Sequence, residues 1–84
     1  MRIRFKKIME GPGPSEVVIE VQTVEGTEEI IVDASILKDG AIDVGSVISQ
    51  RDGQFLIELP REASSGRMRA WIGDDAVAKD SVAA

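Results

Sequence analysis

Apolar residues fall at every second position in three separate stretches of this chain. Between Arg2 and Ile8, Ile3 and Phe5 alternate with Arg2, Arg4 and Lys6; between Glu16 and Val24, Val17, Ile19 and Val21 alternate with polar positions; and Phe55, Ile57 and Leu59 share a third face. A period of two is the mark of a strand with one face buried, and it excludes a helical reading of these stretches. Charge is segregated along the same pattern. Residues 1–9 carry Arg2, Arg4, Lys6 and Lys7 and no acid, whereas residues 10–33 carry Glu10, Glu16, Glu20, Glu25, Glu28, Glu29 and Asp33 and no base. Opposite charges facing each other across strands favour pairing, so the first strand is expected beside the second. That places Arg4 opposite Glu20, or Lys6 opposite Glu20 after a slip of two residues.

Turn chemistry divides the rest of the chain. Gly11-Pro12-Gly13-Pro14 interrupts the ladder because proline lacks a donor and glycine permits unusual dihedrals. Glu25-Gly26 reads as a hairpin turn, with Val24 pairing Thr27, Ile19 facing Val32 and Val21 facing Ile30. Asp33–Gly40 reads as a short helical turn, capped by Asp33 and stopped by Gly40; Ile42 and Val44 then continue inward. Asp52-Gly53 is a strong turn dipeptide joining strands at Ser46–Arg51 and Gln54–Leu59. Pro60 ends that strand, Arg61–Gly66 forms a turn or one-turn helix, and Arg67–Ile72 is a last strand.

The fold expected is mainly β: a small antiparallel barrel or curled sheet of about six short strands with one or two short helical turns. Residues 1–72 would form a single small β domain, with residues 73–84 a flexible C-terminal tail. The core expected is Ile3, Phe5, Val17, Ile19, Val21, Ile30, Val32, Ile48, Phe55, Ile57, Leu59, Met68 and Ile72.

With 84 residues and no cysteine, the chain has neither disulfides nor thiolate metal sites to hold it, so its stability must come from a core or a partner. It also has no histidine and no tyrosine, which removes the usual general base and the phenol. The serines have nothing to activate them. Gly11-Pro12-Gly13 lacks the lysine and helix of a phosphate loop. Asp33, Asp39 and Asp43 lack the alternate ligand spacing of a calcium loop, and Ser64-Ser65-Gly66-Arg67 reads as an ordinary loop. The expectation is a protein without catalysis, cofactor or metal.

The net charge of −5 and a sequence pI near 4.6 argue against a general nucleic-acid or anionic-membrane binder. No stretch has the apolar length of a membrane span, and the basic N-terminus lacks the apolar region of a secretory signal. A cytoplasmic location is the expectation.

Two surfaces stand out as candidates. If the first and last strands are neighbours, Arg2, Arg4, Lys6, Arg67, Arg69 and Trp71 form one basic face with an aromatic on it, suited to an oligonucleotide. Separately, Val18, Ile31 and Leu56 project away from the core faces and could meet a partner or a second copy. Ile57-Glu58-Leu59-Pro60-Arg61-Glu62 resembles the strand-to-helix step of swapped-hairpin transcription regulators of the AbrB type. The resemblance covers those residues alone: Ser64-Ser65-Gly66 departs from the helix that follows in the family, the downstream hairpin is missing, and no residue roles transfer. The functional expectation is a non-catalytic interaction module or homo-oligomeric accessory protein with a protein partner. Oligonucleotide binding is the alternative.

Overall fold

A computed structural model describes residues 1–79. Among these the chain is mainly β, with three small antiparallel sheets and only 3₁₀ turns between them. The first sheet pairs β1 (Arg2–Arg4) with β5 (Ala41–Asp43). The second is ordered β2 (Lys6–Glu10), β3 (Glu16–Thr23), β4 (Gly26–Asp33). The third is ordered β6 (Ser49–Arg51), β7 (Gln54–Glu58), β8 (Arg69–Gly73).

The strands do not close into one barrel, and the cause lies at Phe5. The expected first strand breaks there, where the Phe5 N–H donates to the Gly40 carbonyl at 3.1 Å. Arg2–Arg4 then serves β5 while Lys6–Glu10 serves β3. The second part of that strand pairs as the charge pattern requires, with Lys6 opposite Glu20.

The β3–β4 hairpin keeps the expected faces but not the expected register. Ile19 faces Ile30 and Val17 faces Val32, with Thr23 opposite Gly26. The turn is therefore Val24-Glu25, and Gly26, at φ +123°, opens β4 rather than completing the turn. Thr23 accounts for the shift. Its hydroxyl donates to the Gly26 carbonyl at 2.6 Å and accepts from the Glu25 N–H at 3.2 Å, closing the loop one step early. A two-residue slip leaves every side chain on its original face.

Asp52-Gly53 forms the hairpin turn expected of it, both residues at positive φ as a type I′ turn requires. Asp39-Gly40 has the same conformation: φ is 52° and 75°, and Lys38 and Ala41 exchange backbone hydrogen bonds across it. The helical turn expected over Asp33–Gly40 thus shortens to a 3₁₀ turn at Ala34–Ile36, with Asp33 as its N-cap. Residues 60–66 hold no helix.

One core joins the sheets. Ile3, Ile19, Ile30, Ile42, Ile57 and Ile72 are fully buried, together with Val21 and Val32. Phe5 and Phe55 pack at its margin. Two expected core members are outside it: Ile48 and Met68 are each 43% exposed, because both lie in the loops flanking β6 and β8, before regular alternation begins.

The domain also runs past residue 72. Gly73 ends β8, a second 3₁₀ turn covers Asp74–Ala76, and Ala76, Val77 and Ala78 are buried. Val77 bridges Ile3, and the Ala78 N–H donates to the Arg2 carbonyl at 2.9 Å. This segment supplies β1 with its second neighbour, so residues 73–79 are structural rather than a tail. The remainder of the expected tail, 80–84, lies outside the described residues.

A chain ending at residue 72 leaves β1 unpaired on that side and uncovers Ile3. Urea unfolding followed by circular dichroism is expected to show loss of a cooperative transition for that truncation. Ile3→Ala in the full chain is expected to lower stability by about 2–5 kcal/mol, whereas Ile36→Ala, at the exposed end of the first 3₁₀ turn, is expected to stay within about 0.5 kcal/mol.

Candidate functional site

The basic residues of the first expected face are not brought together by strand pairing. β1 lies beside β5, β2 beside β3, and β8 beside β7. The Arg2 guanidinium donates to the Lys38 carbonyl and, at 3.5 Å, to that of Ala41. Arg4 is exposed, near Asp74, Asp75 and Lys79. Lys6 stands opposite Glu20 in the second sheet.

Arg67 precedes β8 and serves as a strut. Its Nη1 contacts Glu25 at 2.7 Å and its Nε lies 3.4 Å from Glu28, while the Ser65 hydroxyl donates to the other Glu28 oxygen at 2.7 Å. Glu28 projects from β4 on its inward side, opposite Val21. Burying a carboxylate there is tolerable only because these donors satisfy it.

Arg69 and Trp71 do share the outer face of the third sheet, Arg69 lying 4.0 Å from Glu58. Trp71 is covered by Arg51, which reaches across β7 from β6 to place its guanidinium carbon 4.2 Å from the ring centroid, a cation–π contact. Leu56 pairs with Trp71 and is half-buried beside it, so Leu56 is separated from the other two residues of the expected interface.

Those two are placed together. Val18 and Ile31 are directly opposite each other in β3 and β4, and Met9 of β2 is opposite Val18 on its other side. Met9, Val18 and Ile31 therefore form an unbroken apolar row across the outer face of the second sheet. Met9 is 57% and Ile31 36% exposed. The row continues into a groove where Ile31, Met68 and Pro12 line the apolar part and Glu16, Arg61, Glu62 and Ser64 the polar part.

Strict alternation from Ile3 and Phe5 assigns Met9 to the core. A bulge between Lys7 and Met9 reverses the phase and turns Met9 outward. Nothing in the residue types announces that bulge. The expected placement of Met68 in the core fails for a different reason: the strand expected at Arg67 begins only at Arg69.

Acids border the row. Glu16 and Asp33 are opposite each other at one end of β3 and β4, and Glu20 and Glu29 are opposite each other two residues beyond Val18 and Ile31. Glu16 is held by Arg61 at 2.7 Å. Among the described residues no ion pair engages Glu20, Glu29 or Glu62.

The three aspartates considered for calcium have structural employment. The Asp33 carboxyl accepts from the Ser35 N–H at 2.9 Å and Asp43 accepts from the Gly45 N–H at 2.8 Å, while Asp39 shapes the tight turn at Gly40. No three acidic side chains converge on one point among the described residues. No helix of the described residues is long and apolar enough to cross a membrane. Comparison with protein-family models, with curated proteins and with solved structures finds no match to this chain.

The hydrogen bonds to Ser35 and Gly45 hold the Asp33 and Asp43 carboxyls below the ordinary aspartate value of 3.8, the N-terminal ammonium adding to the effect at Asp43. A depressed folded-state pKa stabilises above the unfolded value and ceases to do so as pH falls through the folded one. The urea midpoint of the wild type is therefore expected to drop on acidification below that ordinary value. Asp33→Asn with Asp43→Asn is expected to show a shallower drop, the difference vanishing once both carboxyls are protonated.

Proposed function

We propose that this chain is a non-catalytic interaction module that holds a protein partner on the outer face of its second sheet. The observation that supports the reading is the Met9–Val18–Ile31 row. These side chains sit on the side of the sheet away from the buried stripe of Val17, Ile19 and Val21. The fold gains little from keeping them apolar, and a contiguous apolar surface of this kind suits a binding partner. The absence of an activating base for the serines, read from the composition, favours binding over catalysis.

An oligonucleotide-binding role would draw on a different surface, Arg51, Arg69 and Trp71 on the third sheet. It would make Trp71 emission fall, in a salt-sensitive manner, on titration with single-stranded DNA or RNA.

Site-specific photocrosslinking in the source cells separates the surfaces. A photoreactive residue at Ile31 is expected to give a discrete protein adduct, and the same residue at Ser49 on β6 is expected to give none. The captured protein, purified and recombined, should bind saturably and lose binding with Met9→Glu and Ile31→Glu, both of which should retain the wild-type fold. Adducts at Ser49 alone, or quenching of Trp71 by oligonucleotides, would overturn the reading.

A further inference from the structure

The chemistry of the partner can be narrowed, granted the reading of this face as an interaction surface. Its centre is apolar and its border is acidic. Glu16, Glu20, Glu29, Asp33 and Glu62 surround the Met9–Val18–Ile31–Met68 surface, against Lys6 and Arg61 alone. Glu16 already has its cation, but Glu29 and Glu62 are exposed and no ion pair engages them among the described residues. Glu29 and Glu20, directly opposite, repel each other across the strands. A cation arriving from outside relieves that repulsion and engages carboxylates that Lys6 alone does not balance.

This border also disfavours a second copy of the chain as the occupant. Stacking two such faces would bring one acidic rim against another, and juxtaposed like charges suppress association. Strand addition at a sheet edge is disfavoured as well. The Ser64 N–H already donates to the Glu29 carbonyl on the open side of β4, and the open side of β2 carries a bulge and two lysines, features that blunt an edge. What remains is an element lying across the sheet and offering apolar side chains from one side and cations from its flanks. An amphipathic helix does this.

We propose that the partner presents a cationic amphipathic helix, its apolar stripe resting on Met9, Val18, Ile31 and Met68 and its lysines or arginines reaching Glu20, Glu29 and Glu62. The helix belongs to a different protein.

The test uses the full 84-residue chain with its methionine and isoleucine methyls labelled for nuclear magnetic resonance. The probes are synthetic peptides of about 14 residues, roughly four helical turns. One places leucine on one face and lysine on the other, the second replaces lysine by glutamate, and the third has the same lysine content with serine for leucine. The leucine–lysine peptide is expected to shift the Met9, Ile31 and Met68 methyls and to bind at least about tenfold tighter than either control, with the preference lost at higher salt. Glu29→Lys with Glu62→Lys, two exposed changes that leave the core untouched, should abolish the preference for lysine.

If the leucine–glutamate peptide shifts the same methyls equally well, the cationic partner is wrong while the interaction face stands. Dimerisation that buries those methyls would replace the helix by a second copy and leave the face standing. Equal binding of the serine–lysine peptide would reduce the effect to net charge and overturn the proposal. If no peptide and no dimer perturbs the three methyls, and Ile31 crosslinks nothing, the proposal and the reading beneath it fall together.

Discussion

Everything in this fold leans on the inward stripe of β3. Val17, Ile19 and Val21 are buried, and β3 is hydrogen-bonded on both sides, to β2 and β4. The hairpin end reaches the third sheet as well, where the Val24 N–H donates to the Trp71 carbonyl at 2.8 Å. Across the core, Ile3 of β1, Ile57 of β7 and Ile72 of β8 belong to the same cluster. The two-stranded first sheet is too small to be stable in isolation, and each three-stranded sheet has an apolar face that must be covered. They are stabilised by covering one another. The core relies on interlocking isoleucines, since the tryptophan lies on the outer face and both phenylalanines sit at the margin. Domains of this size have only about 5–15 kcal/mol of total stability, and each buried isoleucine represents a sizeable fraction of it.

The charged residues divide according to which side of the sheets they serve. Arg67, Glu28 and Ser65 tie the turn end of the hairpin to the loop before β8, and Arg61 holds Glu16 across the start of β3. These cations act as struts. Arg51 spreads over Trp71 and shields the one large aromatic surface outside the core. The second sheet is different, because its outer row is apolar while its border of Glu20, Glu29 and Glu62 has no ion pair among the described residues. That contrast within one small molecule, with Arg51, Arg61 and Arg67 tied down and anions left open around an apolar strip, is what directs the functional reading to this face.

Much of the inner architecture is legible in the residue order, for a simple reason. A two-residue period fixes which side chains go inward whatever the exact pairing, so Ile19, Ile30, Val32 and Ile57 could be placed without knowing the register. The Asp52-Gly53 turn is legible because its residue types tolerate the required dihedrals. Local signals fail where a long-range or single-atom effect decides. The Thr23 hydroxyl moves the hairpin turn by one step, the bulge after Lys7 turns Met9 outward, and the pairing of Val77 with Ile3 makes structure of an Ala-rich stretch that lacks any strand pattern. The candidate surfaces were legible in part. Val18 and Ile31 follow from alternation, but Leu56 belongs to another sheet, and Arg2 and Arg67 become neighbours only if the ends of the sheet meet, which the break at Phe5 prevents.

Three small sheets share one cooperative core organised by β3. Native-state hydrogen exchange measures this directly, residue by residue, at increasing low concentrations of denaturant. The account predicts that the slowest amides of β1, β3 and β8 converge on a single opening free energy equal to that of global unfolding. If the amides of β7 and β8 instead opened together well below that value while β3 and β4 remained protected, the third sheet would be a separate unit, and the shared core would not be what holds the protein together.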